Sequence, residues 1–206
     1  MNSALAKKIM IRPGHINEVN PDSGNWIYID IGFSNKSKSC GLLFGNNEPE
    51  EVLFNEAVEK ICAFIKESSL PINLVVEAPL SVSFDKKGNP KGRKIEKQKE
   101  KTRYWYVGLG CVVLVGALYL LRAISNLNHS QEVRLFEGFI SFKNKNEKSN
   151  HSKDVKILRE IVNSSNKQNE VISEAELRMD ATDKLQSSFL VSGLDYGIPP
   201  VLMRNG

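Results

Sequence analysis

Between Tyr104 and Leu121 the chain runs for eighteen residues without a charge, YWYVGLGCVVLVGALYLL. A run of this kind has two folded fates. It can cross a bilayer, for which about 17 residues is the lower limit, or it can pack as a helix into a protein core. The aromatics Tyr104, Trp105 and Tyr119, and the basic run upstream, imitate the flanks of a membrane span. A span would nevertheless place the strand-like segments INLVVE (72–77) and VRLFE (133–137) on opposite sides of the membrane and split the sheet they suggest. The expectation is therefore a helix from near Thr102, buried centrally in one domain. Gly108, Gly110, Gly116 and Ala117 would let it approach a sheet closely.

The flanking segments give the rest of the organisation. NWIYIDIGF (25–33) is β-branched and aromatic and reads as a buried strand, followed by a second strand in SCGLLF (39–44). FNEAVEKICAFIKES (54–68) carries Phe54, Val58, Ile61, Cys62 and Ile65 at helical spacing and stops before Pro71. INLVVE is short and nearly all apolar, as in a strand covered on both faces. VRLFEGFISF (133–142) reads as a strand, DVKILREIV (154–162) as a helix, and MDATDKLQSSFLVSGLDYG (179–197) as a last helix. Strands alternating with helices predict an α/β fold with a mixed sheet, one domain over 25–206, and a partly ordered leader over 1–24.

Charge and cysteines narrow the setting. A net charge of +4 permits a polyanionic partner. Nine basic residues lie between Lys86 and Arg103, in a stretch broken by Gly88, Pro90 and Gly92, which reads as a mobile basic loop over 85–103. Lys36, Lys86, Lys87, Lys91, Arg93 and Lys94 are the candidate contacts to a nucleic-acid backbone. Cys40, Cys62 and Cys111 stand far apart, with no CxxC, and read as free thiols of a reducing, cytoplasmic compartment. No secretory signal pattern, no G-x-S-x-G and no P-loop is present.

Five carboxylates fall in places that need explaining. Asp30 lies in the first strand, Glu77 ends INLVVE, Glu137 sits in VRLFE, and Asp180 and Asp183 open the last predicted helix on one face. Singly, each has an ordinary explanation in turn chemistry or in the preference of helix N-termini for negative charge. Together, acids embedded in apolar strands are costly unless paired or bound to a cation. An oxygen-rich cluster of this type suits Mg²⁺ or Mn²⁺, and two such ions can promote phosphodiester cleavage.

The order of these acids, with the stretches YIDIGFSNKSKSCGLLF, VVEAPLS, RLFEGF and MDATDKLQSSFLVSG, resembles the RNase-H-like nuclease superfamily. The likeness covers about residues 25–203 and is nearest to the Holliday-junction resolvases and a related family of uncharacterised nucleases. It implies a divalent-metal-dependent nuclease on DNA or RNA, with two Mg²⁺ or Mn²⁺ ions. Asp30, Glu77, Asp180 and Asp183 would be the ligands and Glu137 an additional acid. It also implies a homodimer. The alternative from the same residues is a non-catalytic module that binds nucleic acid or protein through the basic loop. IDIGFSNKS also resembles the phosphate loop of actin-like ATPases, but those need two such domains and the chain has room for one.

Overall fold

The computed structural model describes residues 9–32, 38–98, 101–102, 109–140, 150–165, 167 and 170–204. In chain order the elements are β1 (Met10–Pro13), β2 (Asn25–Ile31), β3 (Cys40–Phe44), β4 (Glu50–Val52), α1 (Phe54–Glu67), β5 (Ile72–Glu77), β6 (Ser81–Phe84), β7 (Pro90–Lys91), β8 (Lys97–Gln98), β9 (Lys101–Thr102), α2 (Leu109–Ser125), β10 (Glu132–Phe139), α3 (His151–Asn163), β11 (Val171–Ile172), α4 (Glu174–Leu177), β12 (Lys184–Ser187) and β13 (Val201–Met203). The fold is mixed α/β, with a mixed parallel and antiparallel sheet flanked by helices.

The main sheet has the order β11-β13-β10-β5-β2-β3-β4, and β1 pairs with the first half of β10. Strands β2, β3 and β4 form an antiparallel meander, whereas β2, β5 and β10 are mutually parallel. Parallel neighbours require crossover connections, supplied here by α1 and α2. Strand alternation then sorts the side chains. Ile27, Ile29, Leu74, Val76, Val133 and Leu135 face α1 and α2. Trp26, Tyr28, Val75 and Phe136 face Val155, Leu158, Ile161 and Val162 of α3.

Three sequence expectations change. The segment before residue 25 holds β1, and Arg12 ties it to β10 by an ion pair to Glu132 at 2.7 Å, with a second, within the segment, to Glu18 at 2.6 Å. In its described residues the basic loop holds β7, paired antiparallel with β6, a 3-10 turn, Lys94–Glu96, and the short antiparallel pair β8–β9. The last predicted helix is instead the strand β12, paired with β6, followed by a 3-10 turn at Leu190–Ser192. Helix α2 buries Ala117, Leu120, Leu121 and Ile124 but exposes Val112, Val115 and Tyr119, so the described part of the apolar run, from Leu109, is a helix packed on one face rather than a fully buried one; residues 103–108, over which the sequence predicts its start, lie outside the described residues. Among the described residues no helix is long and apolar enough to cross a membrane.

Candidate metal centre

Asp30 is the penultimate residue of β2 and Glu77 the last of β5, and the parallel register sets them side by side. Both fall on the face covered by α3. That helix starts at Asn150, whose side chain accepts from Lys153 N at 2.9 Å, a regular N-cap. Asp154 follows in the first turn, on the stripe that also carries Leu158 and Ile161. The stripe's apolar members pack onto the sheet and carry the acid down with them. One carboxylate oxygen each of Asp30, Glu77 and Asp154 lies within 4.8 Å of the other two. The three residues are 6%, 7% and 4% exposed.

His151 sits three residues before Asp154, on the same helix face. Its Nδ1 donates to Asp30 Oδ2 at 2.6 Å. That hydrogen bond, outweighing burial, raises the imidazole pKa above its ordinary 6.5. The close seat of α3 depends on two glycines. A Cβ on Gly41, which pairs with Asp30, would lie 2.3 Å from the His151 carbonyl oxygen, and one on Gly32 would lie 2.4 Å from His151 Nε2. Glu77 Oε1 accepts from Ile140 N at 3.2 Å.

Three carboxylates brought this close and away from water repel one another unless cations or protons intervene. One imidazolium offsets a single charge. The donor set is all oxygen, apart from that ring, and suits a hard divalent ion of the Mg²⁺ or Mn²⁺ kind. No thiolate competes from the neighbouring strand: Cys40 faces the opposite core, and burial pushes its thiol up to about 11.

The other predicted site residues lie elsewhere. Glu137 pairs in register with Val76, one residue short of Glu77, so its side chain projects from the other face of the sheet. There Arg93 grips it with two bonds, at 2.7 and 2.9 Å. Arg93 is itself wholly buried and is no surface contact. Asp180 and Asp183 do not open a helix. Asp183 caps a turn by accepting from Met179 N and Asp180 N, and both acids bind Lys91, at 2.7 Å (Asp180) and 3.0 Å (Asp183). Lys86, Lys87 and Lys94 are exposed. Lys36 lies outside the described residues.

Sequence reasoning missed Asp154 and His151. The signal was available for Asp154: it is an acid on the apolar stripe of DVKILREIV, where a solvated helix would carry none. His151 gave no such sign, because its partner lies 121 residues away. No protein-family model, curated protein or solved structure matches this chain.

Proposed function

We propose that the chain is a divalent-metal-dependent phosphodiester hydrolase acting on DNA or RNA, with Asp30, Glu77 and Asp154 as metal ligands and His151 orienting Asp30. The convergence of three buried carboxylates from β2, β5 and α3 within 4.8 Å carries this reading. Asp30 and Glu77 sit at the carboxyl ends of parallel strands, where open α/β sheets place their ligands. Asp30 in the first strand of the meander and Glu77 at the end of its parallel neighbour are acids that the RNase-H-like resemblance names; in place of the helix-borne Asp180 and Asp183 it implies, the third acid of the cluster is Asp154. A pair of Mg²⁺ or Mn²⁺ ions, when bound, would lower the pKa of water and neutralise the leaving oxygen of a phosphodiester. The chain's own residues hold and orient: Asp30 and Glu77 are fixed by strand register, Asp154 by helix packing, and His151 sets the Asp30 carboxylate plane. Lys86 and Lys87, at the exposed tip of the β6–β7 hairpin, are the candidate phosphate contacts. The free thiols of Cys40 and Cys62 are in keeping with a cytoplasmic setting. A homodimer belongs to the same reading, with the exposed apolar face of α2 in its support.

A binding module without catalysis is less well supported, because Lys91 and Arg93 are engaged by acids of the chain itself. The test is calorimetric titration of Mn²⁺ into wild type, Asp30→Asn and Asp154→Asn, followed by cleavage assays on DNA and RNA with and without EDTA. Wild type is expected to bind and each variant to lose binding while keeping its circular dichroism spectrum. At a free Mn²⁺ concentration 100 times Kd, wild type should gain about 2.7 kcal/mol of stability. Binding unaltered in both variants, or absent from wild type, would overturn the reading.

A further inference from the structure

Immediately after Glu77 the chain leaves the sheet through Ala78, Pro79 and Leu80, and this turn must hold the last strand residue still. Part of its support is local: Ala78 N donates to Val76 O at 2.9 Å, and Leu80 O accepts from Ser188 N at 3.0 Å. The rest is ionic. Leu80 N donates to Glu137 Oε2 at 2.9 Å. Arg93 Nη2 and Nη1 donate to the two oxygens of Glu137 at 2.7 and 2.9 Å. Arg93 Nη1 also donates to Ser81 Oγ at 2.8 Å, and Nε to Glu96 Oε1 at 3.0 Å. Arg93, Glu96 and Glu137 are each 0% exposed.

Three desolvated charges are an expensive way to fill space, and apolar residues of similar volume often serve stability as well or better. What a planar, bidentate fork adds is angular precision. Here the precision is delivered to one place. Glu137 is pinned from the neighbouring β13 side, with its N–H donating to Pro200 O at 3.0 Å, and its side chain accepts from Leu80 N beyond Glu77. The following residue, Gly138, lies beside Glu77, where a Cβ would make ordinary contact with Glu77 Cα at 3.4 Å.

We propose that the Arg93–Glu137 pair is a positioning device for the metal ligand Glu77, acting from the opposite face of the sheet through the Ala78–Ser81 turn. It touches neither ion nor substrate, and the proposal rests on the metal reading above. Partners one step behind metal ligands are typically worth about 10–100-fold in affinity. The experiment is Mn²⁺ calorimetry beside thermal unfolding for wild type, Glu137→Gln, Arg93→Lys and the milder Ser81→Ala. Arg12→Gln serves as a control, because its ion pair with Glu132 lies at the other end of β10. The expected result is a Kd about tenfold weaker for Glu137→Gln and Arg93→Lys, a smaller loss for Ser81→Ala, and an unchanged Kd for Arg12→Gln despite a lowered Tm. Placed on Glu77→Gln, the Glu137→Gln change should add no further loss of affinity, because its effect passes through that carboxylate. Should the charge variants fail to fold, Ser81→Ala decides alone: unchanged Mn²⁺ affinity there overturns the proposal. Wild-type affinity in Glu137→Gln also overturns it while leaving the metal reading intact. Absence of Mn²⁺ binding in wild type overturns both.

Discussion

His151 and Asp30 pair an imidazole with a buried carboxylate in the candidate centre. The hydrogen bond to the Asp30 carboxylate lifts the imidazole pKa above 6.5 against the opposing effect of burial. The folded state therefore binds the proton more tightly than the unfolded chain. The pair's contribution to stability is complete below about pH 6.5 and fades as pH rises through the folded-state value. In metal-free protein, an NMR titration should place the His151 midpoint above that of a free histidine, and Asp30→Asn should bring it down. The stability gap between wild type and His151→Gln should be widest in mild acid and close as pH rises; a gap that widens towards alkaline pH would contradict the assignment. Asp180 and Asp183 give the converse expectation. They are committed to Lys91 and to a turn, so Asp180→Asn and Asp183→Asn should leave the Mn²⁺ isotherm unchanged. At this scale the sequence was legible where a side chain contradicted its own element. Asp30 and Glu77 stood out as acids in apolar strands, and both belong to the cluster. Glu137 stood out equally and does not, because only the register with β5 tells which face it points from.

The approach of α3 to the meander decides whether residues so far apart in sequence can meet. Gly41 is the contact that allows it: a Cβ there would meet the His151 carbonyl oxygen at 2.3 Å and its carbon at 2.5 Å, both backbone atoms with little freedom to yield. Gly41→Ala should therefore push the first turn of α3 outwards, at a cost of about 1–3 kcal/mol for overpacking. It should weaken Mn²⁺ binding as well, because His151 and Asp154 ride on that turn. Unfolding curves and calorimetry on the same preparation check both. Elements with a strong signal of their own were readable: β2 and β5 are nearly continuous apolar runs, and α1 and α3 carry an apolar period of 3.6 residues. Elements whose structure is imposed by a distant partner were not. Strand β1 is four residues, Met-Ile-Arg-Pro, made a strand by β10. Strand β12 is Lys-Leu-Gln-Ser, made a strand by β6, and the D-x-x-D before it looked like a helix start because a capped turn and an N-cap use the same carboxylate chemistry. The uncharged run before Leu121 showed that a helix was coming. It did not show how that helix would be turned, since Val112 and Val115 differ from Leu120 and Leu121 only by which way they face.

On the scale of the whole molecule the sheet separates two cores with different duties. The core under α1 and α2 includes Ile61, Leu74 and Leu120 and holds none of the three clustered acids; the core under α3 is smaller and supports the helix that brings Asp154 to the strand ends. Ile61 and Leu158 are both fully buried. Truncating either to alanine removes a comparable apolar side chain and leaves a cavity, so both variants should lose about 2–5 kcal/mol. Their effects on the centre should differ. Ile61→Ala relaxes a helix that carries no ligand and should leave Mn²⁺ affinity at the wild-type value. Leu158→Ala loosens the helix one turn beyond Asp154 and next to Gly138, whose added Cβ would stand 2.9 Å from Leu158 Cδ1. It should therefore weaken Mn²⁺ binding at temperatures well below both unfolding midpoints. Equal affinities in the two variants would mean that Asp154 is held by its immediate neighbours alone; a selective loss in Leu158→Ala would mean that the α3 core is what brings the third carboxylate to the other two.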